Sequence, residues 1–389
     1  MPDHCYRTSS MPNERLMITA AVLSWAYKRA GYSLEALEPD FAKIREWESG
    51  TSGPTYPQLE ALADRLGLPT AAFFFPQPPN LPPIRESFRT LPDSEYDKLP
   101  PSVLALLRRA KAMQLNLTEL SGGANPAERL ITRALDVSVD IPVSVNANNI
   151  RAFLNVEFNV QRSWRDPKVA LNAWRKAIEE IGVFVFKDAF HADNYSGFSL
   201  YDDVFPVIFI NNSTVKTKQI FTLFHELTHL LLHTSAIDTP DDHQVREMPE
   251  QDQNIELFCN KVAAEILVPT DAFTASMIGK QASRQSAEEL ANQFSVSREA
   301  IYRKFLDRRW VDAREYQDAV RAWNSQVDRT RPGGDYYWTK IAYLGDRYIE
   351  LALKGYLQNQ FGDERLGEYL DVSPRNVATL LDRFQRTAR

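Results

Sequence analysis

The most constraining feature of this sequence is an apolar segment, residues 220–231, that contains two histidines and a glutamate. Its hydrophobic residues recur at the spacing i, i+4, i+7 and i+11, which predicts a helix with one buried face. Ser213 is the expected N-cap of this helix. Burying two imidazoles and a carboxylate among apolar side chains is costly unless they share a partner. The segment therefore predicts a buried helix whose polar side chains bind a common ligand.

The two histidines of this segment, His225 and His229, are four residues apart, so both side chains project from one face of a helix and can bind one cation. Glu226 lies beside them. A carboxylate in that position can accept a proton from a water molecule that a metal has activated. His233 lies eight residues after His225, which rotates it about 80° around the helix axis from that histidine, so a structural or outer role is expected for it. This spacing predicts a zinc site with Glu226 as its general base.

A catalytic zinc needs a third protein ligand and one open position. The only cysteines are Cys5 and Cys259, which excludes a thiolate-rich zinc cluster or a disulfide framework. The best candidate is Glu256, on the apolar side of a second predicted helix that ends at Pro269. Two alternatives stay open: Glu256 as a solvated first-turn glutamate, and Glu265 as a substitute ligand, although a salt bridge is the expected role of Glu265.

Composition and charge limit the other classes of function. The chain of 389 residues is 44% hydrophobic and 25% charged, and no apolar run approaches the roughly 20 residues that span a bilayer. The first residues lack the basic region and apolar stretch of a secretory signal, so a cytoplasmic location without membrane contact is expected. The net charge of −6 argues weakly against constitutive DNA binding.

The expected fold class is α+β, mainly helical, with a small zincin-like sheet beside the histidine helix. Prolines between residues 76 and 101 predict a linker because their fixed φ cannot sustain a regular element. Helical spacing on both sides of the sheet predicts helical flanking domains. The predicted boundaries are 1–80 for a helical N-terminal domain, 81–101 for the linker, 102–150 for a helical connector, 151–280 for the metal-binding domain and 281–389 for a helical C-terminal domain.

The run Phe205–Ile210 is the strand that is expected to border the metal site. Pro206 has no N–H, and proline occurs in sheets mainly at edges or strand starts, so an edge strand is predicted. An extended substrate would pair with this strand at Phe209 and so bring its scissile carbonyl to the metal. The alternative is an interior strand that is paired on both sides. The candidates for stabilising the oxyanion are three polar rings, Tyr195, Tyr201 and His233.

The predicted strand and the two predicted helices of the metal site resemble the ImmA/IrrE metallopeptidase family, which has a strand, a His-Glu-x-x-His helix and then a Glu-x-x-x-Asn helix. The corresponding parts here are Phe205–Ile210, His225–His229 and Glu256–Asn260. The resemblance implies two histidine ligands, Glu256 as the third ligand and Glu226 as the base, with Asn260 next to the ligands. Lys218 departs from the pattern, because an arginine is expected there and lysine cannot make a bidentate contact.

Members of this family are bacterial or phage-borne and cleave a helix-turn-helix repressor, which switches on stress, mobile-element or defence genes. The resemblance therefore implies a zinc-dependent endopeptidase whose partner is a helix-turn-helix repressor or antitoxin encoded nearby. The alternatives are a DNA-binding transcriptional regulator and a toxin–antitoxin component, each with a structural or regulated zinc site. Glu226 favours the enzyme over the regulator, because a structural zinc does not need a base. An oligomer is compatible with each of these functions.

Two regions resemble helix-turn-helix units. Residues 1–80 resemble a degenerate Xre-type domain in which only Lys43 and Arg45 are placed to contact phosphates, and docking without DNA is the open alternative. In the C-terminal region, Arg298 and Arg303 follow the turn of another unit. Residues 281–389 hold 18 Lys and Arg against 16 Asp and Glu. This near balance favours a solvated or substrate-docking surface over base reading.

Overall fold

The computed structural model describes residues 15–81, 96, 99–192, 194–238, 249–325 and 334–387. These residues divide into two compact units, one formed by those up to residue 109 and the other by those from residue 110 onward. The fold class is α+β and mainly helical, as the sequence predicted. The finer domain boundaries stay a prediction. No helix in the described part of the chain is long and apolar enough to cross a membrane.

The first unit contains a helical domain with its own hydrophobic core around Trp47 and Phe73. Its last helix begins at a capping box formed by Thr55 and Gln58, because both side chains satisfy free backbone groups there. The same helix ends at Gly67, whose φ of 65° lies in the left-handed region that favours glycine. The elements are α1 (Ala20–Arg29), α2 (Leu34–Leu37), α3 (Ile44–Glu48), α4 (Tyr56–Leu66) and a 3-10 turn (Thr70–Phe74).

Helix α5, Pro101–Leu120, follows in the chain, and the remaining helices lie before and after a small sheet. Those before the sheet are α6 (Ile131–Ala134), α7 (Val143–Leu154), α8 (Phe158–Ser163) and α9 (Pro167–Glu180). Those after it are α10 (Lys216–Leu231), α11 (Glu250–Leu267), α12 (Thr270–Met277), α13 (Arg284–Phe294), α14 (Arg298–Asp307), α15 (Ala313–Asn324), α16 (Tyr336–Leu344), α17 (Asp346–Leu357), α18 (Asp363–Leu370) and α19 (Val377–Thr387). A 3-10 turn, Pro374–Asn376, precedes α19.

The sheet has four strands in the order β1-β3-β2-β4. The strands are β1 (Phe184–Asp188), β2 (Gly197–Leu200), β3 (Val207–Asn211) and β4 (Ala236–Asp238). Strand β1 is parallel to β3, whereas β2 is antiparallel to both β3 and β4. The outer strand on the β2 side is therefore the three-residue β4.

The prediction that Phe205–Ile210 forms an edge strand is wrong. Strand β3 lies between β1 and β2, and Phe209 is buried between Phe186 and Phe198, with ring centroids 5.2 and 5.0 Å away. Pro206 is compatible with this position because it precedes the first residue of the strand, where proline is tolerated. The alternative of an interior strand is the one that the structure shows.

Both faces of the sheet are covered by helices. On one face Val185 and Ile208 belong to a hydrophobic core that continues through α9, α10 and α11. On the other face Phe186 packs edge-on against Tyr348 of α17, with ring centroids 5.3 Å apart. Because Tyr348 is buried, this C-terminal helix is part of the support of the sheet. The histidine helix thus packs on a sheet that is supported on both faces.

Candidate metal centre

Helix α10 carries the histidines, as predicted, and its residues from Gln219 to Leu231 are buried except Phe221. The helix begins at Lys216, with Val215 as N-cap, so the predicted N-cap Ser213 is wrong. Ser213 instead donates its backbone N–H to the Oδ1 atom of Asn211 in the turn that follows β3. The chain thus passes from the centre of the sheet into α10 within a few residues, which places the histidines next to the strands.

Three side chains converge at one point between α10 and α11. The Nε2 atoms of His225 and His229 are 3.1 Å apart. One carboxylate oxygen of Glu256, Oε2, lies 3.2 Å from Nε2 of His225, and the other, Oε1, lies 3.2 Å from Nε2 of His229. Four tetrahedral ligands at zinc distances of about 2.0–2.1 Å are about 3.3 Å from one another. The three residues therefore have the spacing and the chemistry of a zinc site. Among the described residues they form a group in which one ligand atom from each residue lies within 4.8 Å of the other two.

The alternative roles of the two glutamates on α11 are resolved by their contacts. The side chain of Glu256 is only 15% exposed and faces the imidazoles, so it is not a solvated first-turn residue. Glu265 pairs with Lys304 at 3.0 Å and accepts hydrogen bonds from the backbone and hydroxyl of Thr270. Glu265 thus forms the salt bridge expected of it.

The electrostatics of this site favour a cation between the imidazoles and the carboxylates. Burial acts to lower the pKa of His225, but Asp238, Glu256 and Glu226 outweigh it and raise that pKa to about 10. Burial acts to raise the pKa of Glu256, but His229 and His225 hold it far below its usual range. A positive charge is stabilised here, as a divalent metal requires.

Asn260 lies next to the ligands, as the sequence motif implies. Its Oδ1 atom is 3.0 Å from the Nδ1 atom of His225. Because an amide oxygen accepts, this contact assigns the proton of His225 to Nδ1 and leaves Nε2 free to bind a metal. The hydroxyl of Thr234 occupies the comparable position for His229, 3.5 Å from its Nδ1 atom. Sequence reasoning did not identify Thr234.

Glu226 is fully buried beside the ligands, and no residue in the described ranges donates a hydrogen bond of good geometry to either carboxylate oxygen. Burial raises its pKa well above the usual value, Asp238 and Glu256 add to this effect, and His225 and Ser199 oppose it. A carboxyl with this pKa is suited to holding a proton during a reaction.

Gly197 and Asp238 also shape the site, and sequence reasoning missed both roles. A Cβ atom at Gly197 would lie 2.5 Å from the Cγ2 atom of Thr222 and 3.7 Å from the Cγ atom of Glu226, so only glycine lets β2 approach α10 this closely. Asp238, on β4, accepts a hydrogen bond from Thr222 at 3.3 Å. The glycine preceding the strand pattern Phe198-Ser199-Leu200 was the available signal for a close approach.

The sequence predicts outer or oxyanion roles for His233, Tyr195 and Tyr201. The Nε2 atom of His233 is 3.1 Å from the carbonyl oxygen of Thr132, and its ring stacks on Tyr201 at 5.1 Å. These contacts give His233 a structural role and keep it out of the ligand group. The hydroxyl of Tyr201 donates a hydrogen bond to Asp203 at 2.8 Å, so its proton already has an acceptor. Oxyanion stabilisation by Tyr195 stays a prediction.

The basic residues proposed for DNA contact in the N-terminal unit are paired with acidic neighbours. Lys43 lies 3.7 Å from Glu46, and Arg45 contacts both Glu35, at 3.0 Å, and Glu38. These side chains are about half exposed, so the pairs are weak individually. They nevertheless reduce the positive potential that a phosphate backbone would need.

Arg298 and Arg303 of α14 lie near aromatic side chains of α15. The guanidinium of Arg298 lies 5.2 Å from the ring of Trp323. Arg303 lies 5.9 Å from the ring of Tyr316 and pairs with Asp307 at 3.2 Å. These contacts favour a packing role over base reading.

Comparison with known proteins gives relatives for the region that contains this site. Residues 178–306 match the family model described as the IrrE N-terminal-like domain. The chain is 31% identical over 134 residues to the radiation response metalloprotease IrrE of Deinococcus deserti, a match that covers 34% of this chain and 47% of that protein. It is 32% identical over 97 residues to the protein of the same name from Deinococcus radiodurans, covering 25% of this chain and 30% of that protein. The chain therefore spans less than half the length of these curated relatives.

Proposed function

Because this chain belongs to the ImmA/IrrE family through residues 178–306, we propose that it is a zinc-dependent endopeptidase. His225, His229 and Glu256 would hold the metal, and Glu226 would act as the general base. The observation that carries the proposal is the convergence of two imidazole nitrogens 3.1 Å apart, each 3.2 Å from a different carboxylate oxygen of Glu256, with the buried carboxylate of Glu226 one residue after His225. Three protein ligands leave the open position that catalysis needs.

Zinc held by these residues would supply Lewis-acid chemistry, which polarises a carbonyl and lowers the pKa of a water molecule to about 7. Glu226 accepts the proton of the attacking water at a carboxylate oxygen and passes it to the nitrogen of the leaving amine. Burial raises the pKa of Glu226, so the carboxyl can hold that proton between the two steps. Asn260 and Thr234 keep the two imidazoles in place while the proton moves.

Strand β4 replaces β3 as the strand that would hold the substrate. It is the outer strand next to α10, and no other strand in the described part of the chain pairs with its far side. The side chain of Asp238 reaches Thr222, one turn before Glu226, so β4 lies close to the reacting groups. An extended peptide added to this edge would be held by main-chain hydrogen bonds whatever its side chains.

We further propose that the substrate is a helix-turn-helix repressor or antitoxin. The support is the resemblance to the family, whose members cleave such proteins, and the metalloprotease names of the two relatives. The ion pairs of Lys43 and Arg45 and the aromatic contacts of Arg298 and Arg303 favour an enzyme over a DNA-binding regulator.

The test is a cleavage assay with the helix-turn-helix protein encoded beside this gene, analysed by mass spectrometry of the fragments. The zinc-loaded protein should cut it at one site, and the Glu226→Gln variant should retain zinc but lose the cut because an amide cannot accept the proton. If Glu226→Gln cleaved the substrate at the wild-type rate, Glu226 would not be the general base. Tight, sequence-specific DNA binding without any cleavage would favour the regulator instead.

A further inference from the structure

A buried arginine and a buried glutamine that precede the region matched by the family model hold the C-terminal end of α11. Arg151 lies on α7, and its Nη1 atom donates to the carbonyl oxygen of Ile266 at 2.7 Å and to the side chain of Gln161 at 2.8 Å. Gln161, on α8, donates to the carbonyl oxygen of Leu267 at 2.8 Å. These two carbonyls belong to the last two residues of the helix that carries Glu256.

The environment of Arg151 is unusual for a guanidinium. It is only 9% exposed, burial lowers its pKa to about 10, and no acidic side chain in the described ranges pairs with it. Burying an unpaired cation is costly, so the fold must recover that cost from its hydrogen bonds. The carbonyls at a helix C-terminus carry partial negative charge, which a cation stabilises. Arg151 is therefore fixed to the end of α11.

Arg151 is also linked to α10, the helix that carries the histidines, through one intermediate residue. Its guanidinium lies 5.7 Å from the ring of Trp174. Trp174 in turn packs edge-on against Phe224, with ring centroids 4.8 Å apart and the planes at 89°. Phe224 immediately precedes His225. Arg151 thus lies at the point where supports of both ligand helices meet.

We propose that Arg151 and Gln161 are positioning residues of the metal centre, which fix α11 along its axis relative to α10. This inference rests on the proposed function, because it presupposes that the centre binds zinc. A helix rises about 1.5 Å per residue, so the ten residues from Ile266 to Glu256 span about 15 Å of one rigid element. Since zinc distances tolerate deviations of only about 0.2 Å, a small axial shift of α11 weakens the contribution of Glu256.

The experiment uses the full chain with the variants Arg151→Met, Gln161→Met and Arg151→Lys. The dissociation constant of Zn²⁺ is measured by competition with a chelator, and the visible absorption spectrum of the Co²⁺-substituted protein reports the geometry of the ligands. Each methionine variant should bind Zn²⁺ about tenfold more weakly and show an altered Co²⁺ spectrum. The Zn²⁺ affinity of Arg151→Lys should lie between those of the methionine variants and the wild type, because an ammonium keeps the charge but lacks the planar fork of donors.

A second buried arginine provides the matched control. Arg175 donates to the carbonyl oxygen of Ala342 at 2.8 Å near the end of α16, a helix without any proposed site residue, and pairs with Glu179. The double variant Arg175→Met, Glu179→Gln should lower the thermal stability about as much as the methionine variants at Arg151 and Gln161. It leaves no buried unpaired carboxylate. Its Zn²⁺ affinity and Co²⁺ spectrum should match those of the wild type.

Unchanged affinity and spectrum in either Arg151→Lys or Gln161→Met would overturn the inference, and these milder variants serve where Arg151→Met does not fold. An equal loss of affinity in the Arg175 control would also overturn it, because the effect would then be general destabilisation. A wild-type chain that binds neither metal would refute the proposed zinc function, whereas metal binding without any effect of these variants would refute only the positioning role.

Discussion

His225 and Asn260 join the two helices that carry the proposed metal ligands: the Nδ1 atom of the histidine lies 3.0 Å from the Oδ1 atom of the amide. Asn260→Leu removes this acceptor at nearly constant volume, so the imidazole is no longer held with Nε2 facing the metal. The Zn²⁺ affinity should fall about 10- to 100-fold. Asn260→Asp is the matched control, because its carboxylate still accepts and should preserve most of the affinity. Chelator competition measures both, and an Asn260→Leu protein with wild-type affinity would exclude this role.

The two histidines should be needed for zinc itself. We expect about one zinc per chain in the wild type and almost none in the His225→Ala, His229→Ala double variant, as measured by elemental analysis. A metal that binds only the folded state stabilises it, so chelation should lower the melting temperature of the wild type and leave that of the double variant unchanged. Undiminished zinc in the double variant would show that the metal binds elsewhere.

The helix with the histidines was predictable because its signal is local. The i, i+4 spacing of His225 and His229 and the apolar residues around them determine which side chains share a face, whatever the rest of the fold does. Glu256 was predictable for a similar reason, as an acid on the apolar side of a helix.

The strand order was not predictable, because it depends on pairing between distant segments. The run at Phe209 is apolar on both faces, which is equally compatible with an edge and an interior strand. Strand β4 has three residues, too few to show an alternating pattern. Arg151 was missed for the same reason, since its partners on α11 lie 115 residues away in the chain.

Gly197 should be among the least replaceable residues of the sheet. In Gly197→Ala the added Cβ atom would lie 2.5 Å from Thr222 and 2.8 Å from the carbonyl oxygen of Phe209, which forces β2 away from α10. Overpacking of this kind costs about 1–3 kcal/mol of unfolding free energy. Gly362→Ala is the control, because nothing lies within 4 Å of its Cβ position. Urea denaturation compares the two, and similar midpoints would contradict the close approach.

Lys187 should make the stability of the protein depend on pH. Burial, with Arg175 and Lys216, lowers its pKa to about 7, whereas the unfolded chain has a lysine pKa of about 10.4. Between these values the unfolded state binds more protons at this lysine, so the contribution of Lys187 to the unfolding free energy rises with pH, by at most about 1.4 kcal/mol per unit. Lys187→Met should remove this rise. Urea denaturation of metal-free protein at pH 7 and pH 9 measures it, and equal slopes in both proteins would contradict the prediction.

The last prediction concerns β4 as the strand that holds the substrate. The carbonyl of Asp238 accepts a hydrogen bond from the backbone N–H of Ser196, so it points towards β2. Because backbone groups alternate along a strand, the N–H and carbonyl of Ile237 point to the open edge. Ile237→Pro removes that N–H, a change that an edge strand tolerates, and should strongly depress cleavage without loss of zinc.

Ile237→Ala is the matched control for this prediction, because it loses the same buried side chain but keeps the N–H that a paired peptide would use. Both variants should therefore melt at similar temperatures and contain equal zinc, and only the proline variant should lose cleavage of the helix-turn-helix substrate. The rate of fragment formation, followed by mass spectrometry, separates them. Equal rates in the two variants would show that the substrate does not pair with β4, because the only group that distinguishes them at the open edge would then have no effect.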